Sequence, residues 1–369
     1  MKRIESIDHL RGVMALAVMI YHFVAWSGCC LMANGEMAAT GTLSRLGIYA
    51  VSMFYVISGV SIAIAYRDKL NRGSDFAAFG IKRFFRLAPL FWLVCVLGLA
   101  LGYLDHLVRG GVYVFPLEKA ILSFTLTFGF VAPSQYITTG AWSIGNEIVF
   151  YTLFAGACFL LRSMRMAITA MLALTAATAL IYAYRVIEPG ADLASQWAHY
   201  VNPFNQAVLF FAGAMIGYHA EAVRRLLPSR LLWLGVAVVA AAVFVLWPTA
   251  PERVELVSSH ARVVFTVCSV LFVGAFVFMR PEAPRVLARP LNALGESSYS
   301  IYLLHPIVAA PLVYALSVFG VAAWVSYSIA AVVTVVGSYL TYRLLETPFM
   351  NMGRTIAKGG QRPEPQPAP

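Results

Sequence analysis

Ten stretches of nearly unbroken apolar sequence recur along the chain, at about 9–28, 45–66, 81–104, 142–162, 166–185, 203–219, 231–247, 259–279, 297–318 and 322–344. A helix needs roughly 20 apolar residues to cross the hydrocarbon layer, so each stretch is close to a full span. Backbone polar groups in lipid must be satisfied within their own segment, which selects helices for such runs. The expected fold is therefore all-α: a polytopic transmembrane bundle of about ten spanning helices. Composition agrees, with 60% of the 369 residues apolar and 12% charged, against roughly a quarter charged in soluble domains. A shorter run, 118–132, is interrupted by Gly129 and followed by Pro133. It is too short to span and reads as a half-helix or re-entrant segment.

Lysine and arginine placement orients such a bundle, because cytoplasmic loops carry the excess. With the N-terminus inside, six of the 27 fall on outer segments (Arg45, Arg109, Lys119, Arg185, Arg253 and Arg262) and Arg11 lies at the inner mouth of the first helix. The remainder fall inside, so both termini are expected in the cytoplasm. The formal charge of +10 is then a matter of membrane topology, and no nucleic-acid partner is expected. Lys2 and Arg3, with Trp26-Ser27-Gly28-Cys29 downstream, faintly resemble a cleaved lipoprotein signal. Asp8, His9 and Arg11 interrupt the apolar core such a signal needs, so the first helix is expected to be retained. The membrane domain is expected over residues 1–350, and a disordered cytoplasmic tail over 351–369, where Pro, Gly and Gln accumulate. Cys29, Cys30, Cys95, Cys158 and Cys268 show no metal-ligand spacing, and no metal is expected.

Ionisable residues inside such spans cost about 2.5–3.5 kcal/mol each on insertion scales, so each needs a reason. Arg11 and His22 are eleven residues apart, almost three whole turns, which puts them on one face about 16 Å apart along the axis. A snorkelling arginine and a packed histidine would explain the pair, as would one polar stripe linking the two sides of the membrane. Arg83 and Arg86 share a face at the expected cytoplasmic start of the third span. Guanidinium forks at a helix N-terminus suit phosphates, although ordinary inner-leaflet anchoring places the same residues there. Glu147 and Tyr151, four apart, share a face near the outer start of the fourth span, where a histidine is a natural partner for the carboxylate. Ser298, Tyr302 and His305 form a second polar stripe ahead of Pro306, and Glu346 is expected in an inner-surface ion pair.

Five blocks together resemble the membrane-bound acyltransferase-3 family. They are Ile7-Asp8-His9-Leu10-Arg11-Gly12 leading to Tyr21-His22; Met53-Phe54-Tyr55-Val56-Ile57-Ser58-Gly59; Lys82-Arg83-Phe84-Phe85-Arg86-Leu87-Ala88-Pro89-Leu90-Phe91-Trp92; Trp142-Ser143 with Glu147; and Tyr299-Ser300-Ile301-Tyr302-Leu303-Leu304-His305-Pro306. Each is weak alone, but five in the expected order cover roughly residues 4 to 350. The resemblance implies an O-acyltransferase of the bacterial cytoplasmic membrane. Such an enzyme moves an acetyl or other acyl group from cytosolic acyl-CoA to a hydroxyl of a surface or secreted polysaccharide. It implies that Arg83 and Arg86 bind the phosphates of coenzyme A and that Arg11 orients the pantetheine arm. It further implies that His22 is the base or the acyl carrier and that Glu147 orients His22. Tyr151, Ser298, Tyr302 and His305 are candidate pocket lining.

Three departures stand out: the family usually has a small residue where His9 stands, a polar residue near Ala50 to Ser52, and Ser-Val where Gly145-Asn146 follow Trp142-Ser143. They leave the reaction class standing and bear on acceptor identity. No esterase-like domain is expected after the membrane part. The competing class is a transporter or flippase, whose path is also lined by intramembrane polar residues. The asymmetry of basic pair and histidine favours the enzyme.

Overall fold

The computed structural model describes residues 4–28, 32–33, 36–37, 41–67, 69–70, 73–110 and 112–359. Lys2, Arg3, Cys29, Cys30 and residues 360–369 lie outside the described residues. Apolar runs without helix breakers become helices wherever they were expected. The first three are α1 (Glu5–Ser27), α2 (Thr42–Tyr66) and α3 (Gly73–Arg109), with a two-residue ribbon pairing Met32–Ala33 with Glu36–Met37 between α1 and α2. The run 118–132 is broken as expected, into α4 (Leu117–Phe124) and α5 (Phe128–Val131), with Leu126 at φ 60 between them. Then come α6 (Trp142–Leu161), α7 (Met164–Ile181), α8 (Trp197–Tyr200), α9 (Pro203–Leu226), α10 (Arg230–Leu246) and α11 (Ser259–Met279). The last are α12 (Arg285–Glu296), α13 (Ser298–Val318), α14 (Ala323–Thr341) and α15 (Thr347–Gly359). Ser163, Asn202 and Ser229 cap α7, α9 and α10 by accepting a backbone N–H of the first turn.

Eight of these helical segments are long and apolar enough to cross a membrane, and the chain is a polytopic membrane protein. The two of the expected ten that fall short are α9 and α10. The first carries Asn205 and Gln206 in its first turn and Glu221, Arg224 and Arg225 near its end, and the second has only 17 residues. Two expectations are corrected. Helix α3 starts at Gly73, so Lys82, Arg83 and Arg86 lie more than two turns inside it, out of range of an N-terminal dipole that fades within the first turn. Residues 351–359 are not disordered: α14 runs through the π-turn Tyr342–Glu346 into α15, which packs on α3. The segment after α11 holds α12, which packs on α1, with Gly295 against the Asp8 backbone.

α2 is the most enclosed of the crossing helices, while α7 and the α14–α15 segment are peripheral and expose apolar side chains such as Val332 and Leu340. Its longest interface is with α9. There Gly59 and Gly213 let the two backbones touch: a Cβ on either would overlap a carbonyl of the other helix, Phe210 and Val56 respectively. In lipid such close approach replaces the hydrophobic effect as the force between helices. Gly213→Leu is expected to lower stability by about 1–3 kcal/mol or more. Gly235→Leu, on α10 where a Cβ meets nothing within 4 Å, is expected to be neutral. Thermal melting of the two purified variants in detergent checks the contrast.

Candidate active site

Where α1, α2, α3, α6 and α13 converge, polar side chains form a ladder through the apolar bundle. One end of it lines a cavity of about 620 Å³, within the range of small-molecule sites. The lining cations Arg11, Lys69, Lys82, Arg83, Arg86 and Arg354 outnumber the carboxylates Asp8, Glu147 and Glu296. Arg11 donates to Asp8 Oδ1 at 2.9 Å and to Ser61 Oγ at 3.1 Å. Arg83 lies over the rings of Tyr66 and Tyr151, and its buried Nε has no hydrogen-bond partner. Arg86 donates to Glu346 Oε2 at 2.9 Å, and Ser300 Oγ donates to the other carboxylate oxygen at 2.5 Å. The Glu346 side chain is 1% exposed, so the expected ion pair exists but is buried instead of lying at the surface.

The middle rungs come from α6, which begins deep in the bundle. Trp142, its first residue, meets Tyr55 with ring centroids 6.3 Å apart, and Tyr55 lies about 20 Å along α2 from its start. Glu147 therefore lies well inside. It accepts from Ser58 Oγ at 2.5 Å and from the Tyr151 hydroxyl. Because Ser58 is one turn from Ser61, the partner of Arg11, Glu147 sits near the Arg11 level and about 10 Å short of His22 along the axis. One rung nearer His22, Tyr302 donates to the Gly140 carbonyl at 2.9 Å and accepts from Ser143 at 3.0 Å.

The rung at the end away from Arg86 is a pair of imidazoles. His22 Nδ1 lies 3.0 Å from Nε2 of His305, which is fully buried. The exposed indole of Trp26 stacks on His22 with centroids 5.0 Å apart. Phe54 and Tyr302 line the cavity, whereas His22 and His305 do not. The Tyr302 ring stands 5.9 Å from Phe54 and 6.2 Å from His305, so these two aromatics part the cavity from the imidazoles.

A family model described as an acyltransferase domain, Acyl_transf_3, matches residues 4–343. The chain belongs to the acyltransferase-3 family. It is an acyltransferase, and two relatives place it further. It is 26% identical over 328 residues to the exopolysaccharide production protein ExoZ of Rhizobium meliloti (strain 1021), covering 85% of this chain and 93% of the relative. It is 30% identical over 172 residues to protein 2 in the picA locus of Rhizobium radiobacter, covering 42% of this chain and 82% of the relative.

Of the residues singled out in the sequence, Arg11, Arg83, Arg86, Glu147, Tyr151, Ser298 and Tyr302 all line the one cavity. His22 and His305 pair outside it. The expected Glu147–His22 partnership is not formed: Glu147 is held by Ser58 and Tyr151, and His22 by His305. Sequence reasoning missed Ser58 and Ser61, polar residues three apart in the α2 run, although that spacing on an apolar helix is itself the signal. It also missed Trp26, noted there only within the signal-like stretch Trp26-Ser27-Gly28-Cys29. His9, the departure from the family pattern, has a packing role here, bonding Asn292 of α12 at 2.7 Å. Among the described residues no three His, Cys, Asp or Glu are grouped to hold a metal ion.

Removing Arg86 would strand a buried carboxylate. Arg86→Ala is expected to cost about 3–5 kcal/mol, and adding Glu346→Gln should recover part of the loss. Melting temperatures of the single and double variants in detergent check this.

Proposed function

We propose that this acyltransferase carries an acetyl group from cytosolic acetyl-CoA to a carbohydrate hydroxyl on the far side of the bacterial cytoplasmic membrane. Ten spans, the eight long apolar segments together with α9 and α10, would cross that membrane with both termini inside. One observation carries the reading: a cationic cavity of coenzyme size and an imidazole pair are joined by a ladder of polar side chains. A transporter needs a path for its whole substrate, whereas acyl transfer needs only a thin arm to pass Phe54 and Tyr302. The acceptor class follows from the relative named for exopolysaccharide production.

In this reading Arg83 and Arg86 bind the phosphates of the coenzyme, with Lys82 beside them, and Arg11 holds the pantetheine arm or its carbonyl. Guanidinium forks match phosphate oxygens, and the unpartnered Arg83 Nε is free to donate. Tyr151 and Ser298 line the arm's route. The acceptor hydroxyl gives its proton to His22 as its oxygen bonds to the thioester carbonyl carbon. The carbon–sulfur bond then breaks, and the thiolate takes the proton from His22 as it leaves. Glu147, remote from His22, stabilises Arg11 and the donor end of the cavity. The same geometry accommodates attack by His22 itself and an acyl-imidazole intermediate.

His22→Ala is expected to abolish O-acetyl groups on the surface glycans of a host lacking its own copy, at unchanged protein level. Acetylation that survives would refute the role of His22. Arg83→Ala is expected to raise the KM for acetyl-CoA about tenfold or more, since a hydrogen bond to a charged group is worth about 1.5–3 kcal/mol. Initial rates in isolated membranes across donor concentrations measure it.

A further inference from the structure

The imidazole pair fixes its own protons. His305 Nδ1 lies 3.3 Å from the Ile301 carbonyl oxygen. The Tyr302 carbonyl, deprived of its helical donor because Pro306 has no N–H, also faces the His305 ring. A carbonyl can only accept, so Nδ1 of His305 carries hydrogen. His305 is fully buried, and its ring neighbours are His22, Phe23, Trp26 and Tyr302, none of them an anion. An uncompensated charge there is costly, so the ring is neutral and its Nε2 is a bare acceptor. That acceptor lies 3.0 Å from His22 Nδ1, with the two rings 15° from parallel and their centroids 5.0 Å apart. These values fit an N–H···N bond near the plane of both rings. His22 Nδ1 therefore donates, with the Val18 carbonyl one turn back as a second acceptor beside the ring, and the lone pair of neutral His22 is left on Nε2.

We propose that His305 is a positioning residue that occupies, with a neutral imidazole, the place a carboxylate takes behind the histidine of a serine-hydrolase triad. It holds His22 in the Nδ1–H tautomer, stops the ring from turning, and keeps its bond to Nδ1–H when Nε2 takes a proton. Glu147 cannot do this, being held by Ser58 and Tyr151 about two helical turns away along the axis. A neutral acceptor also leaves no net negative charge in the outer half of the membrane, where a carboxylate would need its own cation. The proposal rests on the reading of His22 as the group that takes the acceptor's proton.

The test has two arms. In the first, the full-length protein is labelled with ¹⁵N-histidine and reconstituted in bilayers, and His22 is assigned by the signal lost in His22→Gln. Solid-state NMR should show His22 with Nδ1 protonated and Nε2 bare. The reverse tautomer would overturn the proposal without touching the acyltransferase reading. In the second arm, glycan O-acetylation rates are compared for His305→Leu and His305→Gln at matched protein levels. Leucine removes the acceptor, and a loss of about 100-fold or more is expected. Glutamine reaches far enough to put its amide oxygen near the former Nε2, and should stay within about tenfold of wild type. A leucine variant that keeps its rate, or a glutamine variant as inactive as leucine although both melt like wild type, would show that shape and not the hydrogen bond matters. Should wild type itself transfer no acyl group, the acyltransferase reading fails, while the NMR arm still decides the geometry.

Discussion

Inside a bilayer a polar side chain has no water to turn to, and each polar rung at the centre of this bundle answers that constraint with a protein partner. Arg11 has Asp8 and Ser61, Arg86 has Glu346, Glu147 has Ser58 and Tyr151, Tyr302 has Gly140 and Ser143, and His22 has His305. Pairing on this scale is what lets charged and hydrogen-bonding groups persist at depth. It also fixes the packing, because every rung has at least one partner from another element: Ser61 for Arg11, Glu346 for Arg86, Ser58 for Glu147, Gly140 for Tyr302 and His305 for His22. The close contact of α2 with α9 through Gly59 and Gly213 holds α2 central, with its serines turned to the ladder.

Partners within the ladder are unequal, and the differences separate structure from chemistry. The Arg86–Glu346 pair is buried and bonded at both carboxylate oxygens, so much of the Arg86 charge is already answered. Arg83, sandwiched by tyrosine rings with an unpartnered Nε, keeps more of its donor capacity for a ligand. Toward His22 the carboxylates and guanidinium groups give way to hydroxyls and imidazoles. The proposed division of labour, a polyanionic donor held at one end and a single proton handled at the other, would draw on that gradient.

Much of this was legible in the sequence, for a physical reason. Apolar length fixes which segments are helices, so all ten runs and the broken segment at 118–132 were readable. Period 3.6 fixes which residues share a face, so Arg11 with His22 and Ser298 with His305 were readable as stripes. Neither kind of periodicity says which helix faces which, or how deep a helix begins. Glu147 was therefore assigned to His22, when the inset start of α6 carries it to Ser58 and the Arg11 level instead. Nor does apolar length register amphipathic helices such as α12 and α15, whose partners are other helices and whose stability comes from packing. The early start of α3, on the polar residues Ser74 and Asp75, was hidden in the same way.

The central claim is that donor and acceptor meet from opposite faces of the membrane. It is tested most directly with inverted vesicles from cells carrying the protein, their lumen holding the host's surface polysaccharide. Radiolabelled acetyl-CoA is added to the outside only, the face on which the cationic cavity is expected to open. The account predicts label on the enclosed glycan, lost with His22→Ala, and none on the same glycan supplied outside. Label confined to glycan on the donor's side, or unmodified glycan crossing the membrane with no label transferred, would contradict it.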